Sequence, residues 1–184
     1  MAKEQLALPT ELEVIASSQF KQAKRRVIRQ LTEALLYEGI VIFQEQQWDG
    51  RRAAEYRIIG QNDQGNLVSY VFEGERKLSF RRIRLAGTNI YRIDGEIRSE
   101  VEDIALFMRE TMAILTEPPC DLEPFVYEIE QTLLKEAWSL YDRYLNRKVY
   151  MRPGGTTYAD LEGEVLEGHP YHPCFKSRIG FMSG

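Results

Sequence analysis

The chain has 184 residues, of which 43% are hydrophobic, 11% aromatic and 28% charged. That composition suits one soluble globular domain with an ordinary core and room for an appended arm, and argues against a disordered chain. With 24 Lys and Arg against 28 Asp and Glu the balance is mildly acidic, which disfavours nucleic acid or an anionic membrane as a partner.

The amino terminus, Met1-Ala2-Lys3-Glu4-Gln5, leads into mixed polar sequence without the apolar core of a signal peptide. No apolar run is long enough to span a bilayer. Cys120 and Cys174 are the only cysteines. Without an export signal, two thiols read as reduced residues of a cytoplasmic protein rather than as a disulfide.

The first element predicted is a helix capped by Ser17 or Ser18 and running to about Tyr37. Phe20, Val27, Leu31, Ala34 and Leu35 recur at helical spacing as its buried stripe. Lys21, Lys24, Arg25, Arg26 and Arg29 then form a solvated basic face. Gly39 stands where a terminating glycine is wanted. Short strands are expected over Ile40–Gln46, Ala53–Ile59, Leu67–Phe72, Leu78–Leu85 and Ile90–Ile93, all rich in β-branched and aromatic residues. Their separators are turn-forming: Trp48-Asp49-Gly50, Asn62-Asp63-Gln64-Gly65 and Glu73-Gly74, with Asp94-Gly95 closing the run. Loops this short join antiparallel neighbours, because parallel strands need long crossovers.

Ser99 is the predicted cap of a helix to about Thr116, with Val101, Ile104, Ala105, Met108, Met112 and Leu115 inward. Pro118-Pro119 breaks it. Asp121 then caps a long helix to about Asn146, with Pro124 in its first turn. Its inner stripe is Phe125, Ile129, Leu133, Ala137, Leu140 and Tyr144, widened by Trp138 and Tyr141. A loop at Arg152-Pro153-Gly154-Gly155 precedes a last helix from Tyr158 to Glu167, closed by Gly168. The fold expected is α+β: a small antiparallel sheet packed against several helices.

The stretch from Gly168 to Gly180 differs from all that precedes it. It holds both histidines of the chain, His169 and His172, each followed by a proline, and then Lys176 and Arg178. The prolines push both histidines towards extended backbone, so the imidazoles are displayed rather than folded into a helix face. Lys176 and Arg178 stand two apart and point the same way in an extended strand. Two imidazoles, an ammonium and a guanidinium on one stiff stretch suit a polyanion: Arg offers a bidentate fork, Lys a point charge, and His a donor or a mobile proton. Zinc on His169, His172 and Cys174 is the weaker reading, since the spacing fits no common zinc pattern and Cys120 is distant. No metal site is therefore assigned.

The same residues carry a resemblance. Glu167-Gly168-His169-Pro170-Tyr171-His172-Pro173-Cys174-Phe175-Lys176-Ser177-Arg178-Ile179-Gly180-Phe181 resembles the signature that opens the conserved core of IucA/IucC-type, NRPS-independent siderophore synthetases. Arg25-Arg26-Val27-Ile28-Arg29-Gln30-Leu31, running on to Tyr37-Glu38-Gly39-Ile40, is similar to the first helix of the petrobactin-type synthetases. Glu128-Ile129-Glu130-Gln131-Thr132-Leu133-Leu134-Lys135 resembles their long helix before the signature.

The resemblance implies a larger, hand-shaped enzyme of which residues 1–167 form the thumb-like α+β domain and residues 168–184 begin the catalytic core. It implies an ATP-dependent ligase, with Mg2+, that adenylates a carboxylate of citrate or a citrate derivative and condenses it with an amine, a polyamine or an amino-acid derivative. His169 and His172 are then the catalytic residues, and Lys176, Ser177 and Arg178 the ones that bind substrate or the phosphates of ATP. Which of them meets ATP and which citrate stays open. A homodimer is implied for the whole enzyme, and inactivity for this part alone. Two readings from other classes stand beside it: a non-catalytic interaction or dimerisation module, and a small zinc-binding protein.

Overall fold

A computed structural model describes residues 10–47, 53–76, 82–87, 89–117 and 121–146. The first element, α1 (Glu11–Ile15), is a single turn that the sequence reading missed. Thr10 and Glu13 form a reciprocal capping box, the Thr10 amide donating to Glu13 Oε2 at 2.7 Å. That cap sets the turn so that Val14 enters the core with no exposure.

Helix α2 (Ser18–Glu38) follows, and its ends are where the sequence put them. The Ser17 hydroxyl accepts from the Phe20 amide at 3.2 Å. Gly39, at φ 68°, turns the chain left-handed, and the amides of Gly39 and Ile40 donate to the carbonyls of Leu36 and Leu35. Val27, Leu31, Ala34 and Leu35 are buried as expected, joined by Ala23, Ile28 and Leu36, while Phe20 packs at the margin.

Six strands then make one antiparallel sheet among the described residues: β1 (Phe43–Gln47), β2 (Ala53–Gln61), β3 (Leu67–Arg76), β4 (Ile83–Leu85), β5 (Tyr91–Asp94) and β6 (Ile97–Glu100). Their order is β1-β2-β3-β5-β6, with β4 lying along β3. Between β2 and β3 the Asn62 side-chain oxygen accepts from the amides of Gln64 and Asn66, and Gly65 takes φ 82°. The resulting register sets Tyr56 against Phe72 and Ile58 against Tyr70. Ala54, Tyr56 and Ile58 of β2 and Val68, Tyr70 and Phe72 of β3 thus share the buried face.

Asp94-Gly95 does not end the sheet, as the sequence reading had it. It turns the chain into β6, with Asp94 opposite Ile97 and Gly95 at φ 58°. Ser99 accordingly lies in β6 and caps nothing. The cap of α3 (Ile104–Ala113) is Asp103, whose carboxylate accepts from the Leu106 amide at 2.8 Å.

Helix α3 crosses β2 at Gly60, where a Cβ would lie 2.8 Å from the Glu110 carbonyl oxygen. Only a glycine lets the two backbones come so close. Phe107, fully buried, meets the Tyr70 ring edge-on with centroids 4.8 Å apart. Burying a side chain of that size is worth about 1.5–3 kcal/mol. Helix α4 (Leu122–Asn146) completes the layer, with Asp121 accepting from the Glu123 amide and Ile129, Leu133 and Ala137 buried. Phe125, Leu140, Trp138 and Tyr141 pack against this core, but Tyr144 is 61% exposed because the stripe outruns the core there.

The architecture is thus α+β, an antiparallel sheet with helices on one face. No helix among the described residues is long and apolar enough to cross a membrane. The strand expected at Leu78–Leu85 is described only as β4, its earlier part lying outside the described residues. The predicted helix Tyr158–Glu167 and the boundary between residues 167 and 168 also lie outside them.

Candidate functional site

All five residues predicted to act on substrate, His169, His172, Lys176, Ser177 and Arg178, lie outside the described residues, as does Cys174. Their site is therefore defined by its chemistry in sequence. Among the described residues the ionic groups assemble into clamps between elements.

The largest clamp ties α3 to the sheet. Glu110, 2% exposed, stands on α3 facing β3 and β5. Arg92 grips it with both arms of its guanidinium, Nε to Oε2 at 2.7 Å and Nη2 to Oε1 at 2.6 Å. The Tyr70 hydroxyl donates to the same carboxylate. Arg92 also donates to Asp94 at 2.8 Å, and the Asn62 side chain reaches Asp94 at 3.4 Å. Burial, then the carboxylate beside it, push the Tyr70 hydroxyl well above the usual phenol range. The Glu110 carboxylate likewise holds the Arg92 guanidinium charged. A phenol held neutral and a guanidinium held charged move no protons near neutral pH. This network ties α3 to the sheet.

Two smaller clamps sit on the basic run of α2, and they correct the reading of that run as a solvated face. Arg26 pairs with Glu136 of α4, whose side chain has no exposure, at 3.2 Å. Arg29 pairs with Glu33 one turn on at 3.1 Å, and Glu33 also accepts the Leu85 amide of β4 at 3.0 Å. Arg25 reaches Glu100 of β6 at 2.6 Å in an exposed pair. Of the run, Lys21 is exposed as expected. The pattern of polarity alone misses these pairs, because Glu33, Glu110 and Glu136 look like any other glutamates on a helix. The faint signal was position: Glu110 follows Phe107 by three residues and shares its face.

Concavities also lie among the described residues. One, of about 430 Å³, lies on the sheet face away from the helices, between Glu55, Glu73, Tyr91 and Arg98. Another, of about 610 Å³, runs between α3 and α4, with Ala105, Leu122 and Val126 inside and Arg109, Glu123 and Glu130 on its rim. No group of three or more His, Cys, Asp or Glu among the described residues is placed to hold a metal ion.

The sheet, its helices and the signature define a class when set beside known proteins. The fold matches the crystal structure of petrobactin biosynthesis protein AsbB from Bacillus anthracis str. Sterne, with a TM-score of 0.76 and 30% identity over 93% of this chain and 26% of that one. The IucA / IucC family model matches residues 157–183, which contain the signature. The chain is thus similar to members of the IucA/IucC family, at the signature and along most of its own length.

Two curated relatives extend the likeness. One is a citryl-spermidine/3,4-dihydroxybenzoyl-citryl-spermidine:spermidine ligase of Bacillus anthracis, 33% identical over 93% of this chain. The other is a 2-[(L-alanin-3-ylcarbamoyl)methyl]-3-(2-aminoethylcarbamoyl)-2-hydroxypropanoate synthase of Staphylococcus aureus (strain NCTC 8325 / PS 47), 31% identical over 96% of this chain. The chain spans 27% of the length of each.

Proposed function

We propose that this chain is the thumb-like opening part of a cytoplasmic, homodimeric siderophore synthetase that joins citrate to an amine at the expense of ATP. The observation that carries the reading is the stretch from His169 to Arg178, which falls inside the family match at residues 157–183. The relatives support the substrate class: one is named as a ligase of a citryl compound and spermidine, the other for a product bearing amine-derived carbamoyl groups. A polyamine or an amino-acid derivative is accordingly the amine proposed here.

In this reading a citrate carboxylate attacks the α-phosphorus of ATP, and the bond to the bridging oxygen breaks to release pyrophosphate. The amine nitrogen then attacks the acyl carbon, AMP leaves with the electron pair of the C–O bond, and the nitrogen loses a proton. Two anions must meet in the first step, so fixed cations are what it needs. Lys176 and Arg178 supply them, Ser177 adds a donor, and His169 and His172 act as proton carriers or donors to the same oxygens. Magnesium enters with the phosphates of ATP as their counter-ion.

The test is pyrophosphate release by the longer protein, with citrate and a panel of polyamines and amino-acid derivatives. Release that needs citrate, and amide formation that needs one amine of the panel, is the expected result; no citrate-dependent release would overturn the reading. Residues 1–184 alone should bind ATP weakly or not at all, so tight binding by calorimetry would contradict the assignment of this part as incomplete.

A further inference from the structure

We draw no further inference here: the strongest candidate, the hollow of about 430 Å³ on the open face of the sheet, sets the facing carboxylates of Glu55 and Glu73 beside Arg98 but offers nothing among the described residues that points to a ligand.

Discussion

The body of the domain and the segment after Gly168 differ in how their sequence carries charge. Among the described residues several arginines meet acids: Arg92 meets Glu110, Arg26 meets Glu136 and Arg29 meets Glu33. From Gly168 to Gly184 there is no Asp or Glu at all, only Lys176, Arg178 and two histidines. A buried ion pair is neutral overall and serves to lock two elements together. For the cations of this stretch we propose that the partners are phosphates and citrate carboxylates. The contrast separates scaffold from chemistry by where the counter-charge lies, and substitution can test it on both sides.

The largest effect is expected in the body. Arg92→Ala strands a carboxylate that is 2% exposed with one hydroxyl for company, and breaking a buried pair costs about 3–5 kcal/mol. Arg26→Ala removes the cation that stands 3.2 Å from the fully buried Glu136 carboxylate. In a chain of 184 residues the unfolding midpoint should then fall by roughly 10 °C. Thermal unfolding checks this, and a shift of only a degree or two would mean that the clamps are ornamental.

On the other side, alanine at His169, His172, Lys176 or Arg178 should slow citrate-dependent pyrophosphate release by the longer protein. A lost charge-assisted contact to a buried anion is worth about 1.5–3 kcal/mol, or roughly ten- to a hundredfold in rate. The midpoint of residues 1–184 should hardly move, since none of the four belongs to an apolar stripe. Four variants that release pyrophosphate at the parental rate would erase the contrast.

A third expectation concerns pH. The Tyr70 hydroxyl has its folded-state pKa raised above the ordinary value near 10. Below that value the phenol is protonated in both states, so its contribution is fully present. Above it, the unfolded chain sheds the proton while the folded one keeps it, and stability falls by about 1.4 kcal/mol per pH unit. Tyr70→Phe should flatten part of that fall between pH 10 and 11 in denaturant titrations. An unchanged slope would show that other groups carry it.

How far the sequence reached depends on what kind of interaction made each feature. The ends of α2 were legible because Ser17 and Gly39 act through their own backbone and near neighbours. The antiparallel meander was legible because Asn62 and Gly65 make a turn that needs no tertiary help. Strand β6 was not, because Ile97-Arg98-Ser99-Glu100 is polar, exposed and held by its hairpin partner rather than by an apolar face. The cap of α3 was misplaced for the same reason: Ser99 and Asp103 are both good caps, and pairing with β5 decides between them. Glu110 and Glu136 meet arginines far along the chain, which no local pattern reveals, whereas Glu33 meets Arg29 at the i,i+4 spacing a helix offers. The signature is the reverse case, readable because its prolines, imidazoles and cations are adjacent in the chain.

The smallest expected effect is also the most discriminating, because it falls next to one of the largest. Arg25 and Arg26 are neighbours in the same basic run, yet Arg25 is 47% exposed and its partner Glu100 is 24% exposed, while Arg26 meets a carboxylate with no exposure. Water solvates both members of the first pair when the pair is broken, so neither is stranded. Exposed pairs contribute about 0–1 kcal/mol, and a bidentate geometry places this one towards the upper end. Arg25→Ala should therefore lower stability by less than about 1 kcal/mol. Salt gives the second reading, since the screening length drops from about 10 Å at 0.1 M to about 3 Å at 1 M. The gap between parent and Arg25→Ala should close in 1 M salt, and the gap for Arg26→Ala should persist. If the two variants lost equal stability and responded equally to salt, burial would not be what separates a clamp from a surface contact in this domain.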